Sequence, residues 1–330
     1  MARPDPLRVL VVTNMWPSAA APMAGIFVAE QVASLERCGV QADVLHIDGA
    51  TGGWRAYLAG FGRVRDALRR GRYDLIHAHY VFSGIMALGG AALARRRDVP
   101  VVVTQHGIET QTGWTAPLCR WTSRRAAATI ATSQRVQAAL GRPGAAVIPC
   151  GVDTALFRPM PTEEARAALG LPADVPLVLF AGMRRPEKRF DLVEAAVARL
   201  AGQGQPVQLV IAEHEAHERM PLYMNACDVL VLASEAEGSP MVVKEALACN
   251  LPVVSVDVGD VAELTAGIPG CAIVSRDVEA LAGGLAAALA FGSRTNGRAA
   301  VAHLSLDAIA ARLVALYGEV VAKACPLMMG

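Results

Sequence analysis

No Gly-x-Gly-x-x-Gly follows either of the two candidate first strands of this 330-residue chain, and there is no Gly-Lys-Ser/Thr phosphate loop. The best sequence support for a dinucleotide oxidoreductase or an ATPase is therefore missing. Seven cysteines, an odd number without a Cys-x-x-Cys pair, argue against a disulfide framework or a zinc ribbon. No uncharged apolar run approaches the roughly 20 residues that span a bilayer. That holds although 53% of residues are hydrophobic and the mean hydropathy is +0.35. Met1–Pro6 lacks a charged-then-apolar leader and runs straight into a strand pattern. Aromatic residues make up only 5% and hardly interleave with the arginines, so nucleic acid is not expected as a partner. These absences leave a cytoplasmic α/β protein long enough for two domains.

Charge is present but uneven. The net charge is +1, yet residues 1–160 carry 18 Lys and Arg against 10 Asp and Glu, while residues 161–330 carry 13 against 20. Nearly all the excess is arginine, as in Arg63, Arg65, Arg69, Arg70, Arg72 and the run Arg95–Arg97. Such asymmetry fits two domains with different partners. The basic half could face an anionic acceptor or the inner face of a membrane, although solvated helix faces account for the same pattern.

Short apolar runs alternate with amphipathic segments, the mark of parallel α/β architecture. Strands are expected at 8–13, 42–47, 75–78, 101–105, 129–131 and 146–148. A second series follows at 177–182, 208–211, 229–233, 253–256 and 272–274. Helices are expected at 26–37, 54–70 and 306–323. In the second of these Tyr57, Leu58, Phe61, Val64 and Leu68 recur at helical spacing opposite arginines; such a stripe packs on a core or lies on a membrane. Proline and glycine cluster between Pro149 and Pro161, marking a connection between domains.

Three stretches carry chemistry. In Ser234–Ala248, between two strand patterns, Ser239-Pro240 reads as a helix start with Ser as N-cap. Glu237 and Glu245 flank it. A helix N-terminus suits a phosphate, and carboxylates beside it suit sugar hydroxyls. Gly182–Arg189 places Arg184, Arg185, Lys188 and Arg189 after the second series' first strand, where cations can neutralise a diphosphate leaving group. Val101–Gly107 ends a strand on His106. Gly25 lies between the first strand and first helix, at the carboxyl edge where ligands of open parallel sheets bind.

Together these stretches resemble the retaining GT-B glycosyltransferases of glycosyltransferase family 4. The resemblance is carried by the Gly25 loop, Tyr73–His79, Gln105-His-Gly107, Ile148–Asp153 with Phe157-Arg-Pro159, Pro186-Glu-Lys188, and Glu237 to Glu245 as the Glu-x7-Glu signature. Gly25–Gln31 and Ser239–Asp260 look closest to bacterial members that build surface polysaccharides. It implies two Rossmann-like domains with an interdomain cleft: residues 1–158 on the acceptor side, 159–305 for the nucleotide-sugar, and 306–330 as a helix crossing back.

For the site, the resemblance implies that Lys188 with Arg184 or Arg185 holds the donor diphosphate. Glu245 would bind the ribose. Glu237 and the backbone of Gly238, Ser239, Pro240, Met241 and Val242 would face the transferred sugar and phosphate. His106 would contact the sugar, and Gly25 would let backbone approach the phosphates. No metal or cofactor is implied beyond the nucleotide-sugar co-substrate, a UDP-sugar first and GDP-mannose second. The acceptor would be a lipid-linked saccharide or a small molecule. Alternatives are a GT-B nucleotide-sugar epimerase, a non-catalytic nucleotide-sugar-binding protein, and a polyanion- or membrane-binding scaffold.

The chain departs from the family pattern where Met183 replaces the arginine after the strand-end glycine, and where Arg189 and Cys150 replace a glycine and an asparagine. The segment between Ile211 and Pro221 is short. His214 with His217 on one helix face, and His77 with His79 on one strand face, each lack a third metal ligand. Cys150 and Cys249 are expected as buried small hydrophobes.

Overall fold

The computed structural model describes residues 6–19, 21–111 and 113–324. The chain divides into two compact units, one running up to Gly151 and rejoined at Leu306, the other Val152–Ser305. The first is built on strands β1 (Arg8–Thr13), β2 (Gln41–His46), β3 (Leu75–His79), β4 (Val101–Gln105), β5 (Ala128–Ala131) and β6 (Ala146–Val147). They form one parallel sheet in the order β2-β1-β3-β4-β5-β6. The run Val9–Val12 is apolar at every position and almost completely buried, as expected for a parallel strand covered by helices on both faces.

The helix Ile26–Arg37 buries Val28, Val32 and Leu35. Gly49–Arg70 is broken at Gly53 (φ 54, ψ −149), so its regular part coincides with the expected amphipathic helix. Val64 and Leu68 are buried in the main core with Leu10, Ile47, Ile76 and Met86, and Tyr57 and Phe61 pack against it. Full burial of a side chain of this size contributes about 1.5–3 kcal/mol. Leu58 stays outside, 59% exposed, with Trp54 at 68%. The stripe is therefore mostly core, with an apolar tip left in solvent.

The helix Leu306–Ala324 belongs to the first unit. Its Tyr317 is buried, and the hydroxyl lies 2.6 Å from His77 Nδ1 on β3. Arg37 and Asp307 pair at 2.7 Å on the surface of the same unit.

The second unit contains β7 (Leu177–Ala181), β8 (Gln208–Ala212), β9 (Val229–Leu232), β10 (Val253–Val256) and β11 (Ala272–Val274). These strands lie parallel in the order β11-β10-β9-β7-β8. Buried Arg166 closes the amino edge by donating to the carbonyls of Pro172, Ala173, Val175 and Ala226 and to Asp228, whose carboxylate also accepts from Leu177 N at 2.6 Å. Arg298 ties the connecting segment into this unit by donating to the carbonyls of Thr154 and Phe157.

One expectation fails here. His214 and His217 do not share a helix face: His214 has a left-handed φ of 61° in a loop, and His217 is buried in a single 3-10 turn. The Glu- and His-rich run is too short and too polar to propagate a helix. His217 instead sets its ring 5.2 Å from Phe157, edge to face.

Candidate active site

Numbered within each unit, the sheets follow 2-1-3-4-5-6 and 2-1-3-4-5, so in both the direction of winding reverses between first and third strand. Ligands of open parallel sheets bind outside the carboxyl ends of the strands at that reversal. In the second unit it lies between β7 and β9, and the loops after these two strands carry most of the predicted site.

After β7 the chain passes through Gly182 (φ 131) into the 3-10 turn Pro186–Lys188. Lys188 Nζ meets Glu237 Oε1 at 2.5 Å, from the loop after β9, with only 10% of the glutamate side chain exposed. A second link, Glu235 N donating to Glu187 O at 2.8 Å, fixes the two loops against each other. Arg276 Nη2 donates to Ser234 O at 3.0 Å and pins the start of the β9 loop.

The arginines separate by role. Arg184 is held away by Glu213, through its backbone N–H at 2.8 Å and its Nε at 2.7 Å. Its guanidinium also lies over the Phe190 ring. Arg189 pairs with Asp191 at 2.8 Å. Arg185 is exposed and makes no ion pair among the described residues.

The helix after Glu237 is Met241–Ala248, with Pro240 (φ −67, ψ 120) at its cap position and no side-chain cap. Ser239 is therefore not the N-cap expected from sequence. Its hydroxyl instead donates to Asp260 Oδ2 at 2.5 Å. Proline's fixed φ is compatible with the extended cap geometry seen here, and the helix begins one residue later than the Ser-Pro pattern indicates. Glu245 lies in this helix, 7% exposed. Gly238–Val242 thus surround a helix start bordered by Glu237 and Lys188.

In the first unit the reversal lies between β1 and β3. Gly25 caps the helix Ile26–Arg37 in the left-handed region (φ 69). A Cβ there would sit 2.4 Å from Met15 O, so no other residue fits without moving the β1 loop. Two residues on, the Phe27 ring lies 5.0 Å from that of His106, which brings the β1 loop and the end of β4 together.

His106 is gripped from several sides. Its backbone N–H donates to Glu109 Oε1 at 2.5 Å, its Nε2 lies 3.1 Å from His79 Nδ1, and the Tyr80 ring lies tilted against it at 4.4 Å. Tyr80 itself adopts a left-handed φ of 70°, a costly conformation for an aromatic residue that the surrounding packing must enforce. Cys150 Sγ lies 3.8 Å from His106 Nδ1. Cys150 is only half-buried and serves as a polar neighbour of the histidine rather than as core, whereas Cys249 is fully buried.

Behind His106 the imidazoles of His79 and His77 lie 4.3 Å apart. Burial pushes His79 down to about 3, and burial with two neighbouring imidazoles holds His77 well below the usual histidine range. Both are neutral at pH 7. His77 Nε2 contacts Thr104 Oγ1 at 2.7 Å, so with Tyr317 on Nδ1 one ring nitrogen donates and the other accepts. Burial pushes the Glu109 carboxyl up, opposed by the backbone N–H groups it receives. Among the described residues no three His, Cys, Asp or Glu side chains form a metal cage.

Sequence reasoning missed Glu109, Tyr80, Asp260 and Arg276. Glu109 carried a signal, since an acid three residues after a strand-end histidine can return to its N–H as in a capping box. Asp260 and Arg276 carried none, being brought in from other strands. A cavity of about 670 Å³ bordered by Arg97, Arg125 and Arg142 lies at the amino ends of β4 to β6, away from these loops.

Comparison with known proteins bears on the fold and the family. Residues 7–156 match Glycosyltransferase Family 4, and residues 213–290 match Glycosyl transferases group 1. The chain is 30% identical to a D-inositol 3-phosphate glycosyltransferase of Mycolicibacterium gilvum, with 81% of this chain and 71% of that protein covered. It spans 62% and 59% of the length of two other curated relatives it matches. Sucrose-phosphate synthase from Thermosynechococcus elongatus superposes with a TM-score of 0.81 at 22% identity, covering 96% of this chain and all of that one. Anabaena HepE in complex with UDP and glucose superposes with a TM-score of 0.70 at 19% identity, covering 94% and 99%. The two Rossmann-like units share the GT-B fold of these structures, and the chain belongs to glycosyltransferase family 4, group 1.

Proposed function

We propose that this chain is a retaining, metal-independent glycosyltransferase that moves a sugar from a UDP-sugar, or in second place GDP-mannose, to a lipid-linked saccharide or small biosynthetic acceptor. The observation that carries the reading is the Lys188–Glu237 pair beside the uncapped start of Met241–Ala248, at the winding reversal of the second unit. Lys188 and Arg185 neutralise the diphosphate as charge develops on it, assisted by the first N–H groups of that helix. Arg185 takes this role because Arg184 is committed to Glu213. Glu245 receives the ribose, and Glu237 and the Gly238–Met241 backbone face the transferred sugar. His106, backed by a neutral His79, offers the sugar hydroxyls an oriented imidazole. In this reading the departing diphosphate oxygen takes the acceptor proton, so the protein contributes charge stabilisation and positioning without a dedicated base.

UDP is favoured because HepE, of the same fold, is in complex with UDP and glucose. The name of the Mycolicibacterium relative supports a small phosphorylated acceptor. The exposed Trp54 and Leu58, with Arg55 over the Trp54 ring, support a lipid-linked one and peripheral contact with the cytoplasmic face of a membrane. No helix among the described residues is long and apolar enough to cross a membrane. A thermal-unfolding screen against UDP, GDP, ADP and their sugars tests the reading. A ligand at 100 times its Kd stabilises the native state by about 2.7 kcal/mol, so UDP should raise the midpoint clearly. No shift with any of these nucleotides overturns the proposal.

A further inference from the structure

Ser239 stands directly before a helix start that has no side-chain cap. Serine hydroxyls readily accept from N–H groups two or three residues ahead, and here those groups belong to Met241 and Val242. The hydroxyl does not turn that way. It is drawn to Asp260, whose Oδ2 it meets at 2.5 Å.

Asp260 comes from the loop after β10 and is 5% exposed. Its second oxygen, Oδ1, has no hydrogen-bond partner. Burial disfavours the carboxylate, while the charge of Lys244 and the Ser239 bond favour it. Lys244 is itself completely buried in the helix Met241–Ala248. The two loops are in backbone contact: Gly259 has φ 57, and a Cβ on it would lie 2.8 Å from Gly238 O. Burying a carboxylate and an ammonium costs several kcal/mol per ion before their attraction is counted. Their placement beneath this loop needs a reason beyond stability.

We infer that Asp260 is a positioning residue that holds the Ser239 hydroxyl off the start of Met241–Ala248, keeping the first-turn N–H groups for the diphosphate of the donor. Without Asp260, Ser239 caps its own helix and competes with the ligand. The idea rests on the donor reading above. It adds a claim that reading lacks, namely that the serine is a competitor which the aspartate restrains.

Removing Asp260 alone would take a carboxylate from the surroundings of the buried Lys244 charge, so the test uses Lys244→Met/Asp260→Ala, which removes both charges together. Circular dichroism and the unfolding midpoint establish that this protein is folded. UDP is the probe, titrated by calorimetry. Relative to the wild type, the double variant should bind UDP about tenfold more weakly, the size of a typical capping interaction. Adding Ser239→Ala should return Kd to within about threefold of wild type, because the competitor is gone. A buttress that only stiffened the loop would not be rescued by a further deletion. If Ser239→Ala leaves the weakened affinity unchanged or worsens it, the inference is overturned while the donor reading stands. If the wild type binds none of UDP, GDP or ADP, both are overturned.

Discussion

The two units share strand order and place their candidate residues at the same topological point, yet they equip it with opposite chemistry. In the second unit the loops are held by charge: Lys188 on Glu237, Arg184 on Glu213, Arg189 on Asp191 and Glu235. In the first, the corresponding edge is aromatic: His77, His79, His106, Tyr80 and Phe27 in ring contact one with the next, His77 and His79 being neutral. Strand topology sets where a ligand sits and says little about its chemistry. A diphosphate calls for cations and unpaired N–H groups, whereas a sugar calls for oriented hydrogen-bonding groups, carboxylates and imidazoles among them.

The largest effect should come from breaking the charged side. Lys188→Ala should lower donor turnover, read as nucleotide release, by about 10²–10³-fold with the fold intact, the range for loss of one group that stabilises developing charge. A residual activity above one tenth would remove Lys188 from the site. The histidine side should respond instead to pH. His77 and His79 titrate below the usual histidine range when folded and near 6.5 when unfolded. Their contribution is therefore complete above about pH 6.5 and is lost as pH falls, at about 1.4 kcal/mol per pH unit for each. Glu109, whose carboxyl is pushed up, acts with the opposite sign near its own titration and offsets part of the loss. Denaturant unfolding from pH 7.5 to 5 should show a steep fall, and equal stability at the two ends would show that the histidines are not neutral in the folded chain. The smallest effect separates two neighbouring cations. Arg185→Ala should weaken UDP binding about tenfold and Arg184→Ala much less, since a charge-assisted contact contributes about 1.5–3 kcal/mol. The reverse order in a titration would return the phosphate role to Arg184.

Much of this was legible in the sequence because apolar runs and helical spacing report local structure. Every expected strand is present, and the helices at Ile26–Arg37 and Leu306–Ala324 end within a residue of expectation. The positions of Gly25, Lys188 and Glu237 could be read because each lies in the connection that leaves the carboxyl end of a strand. Illegible were the contacts made across the sheet. Asp260 reaches Ser239 from 21 residues away and overrides a good capping signal, and Glu213 takes Arg184 from 29 residues away. Local propensity is a weak prior wherever a buried partner offers a better hydrogen bond.

The bond between Tyr317 and His77 joins residues 240 positions apart, with the entire second unit in the chain between them. During synthesis β3 is made early, while the helix that covers its buried histidine is made only after the second unit. Until then the first unit lacks the Tyr317–His77 bond, whereas the second unit is built from contiguous chain. Long-range closures of this kind are slow. Refolding should accordingly show the second unit's signals recovering before the Tyr317 environment does.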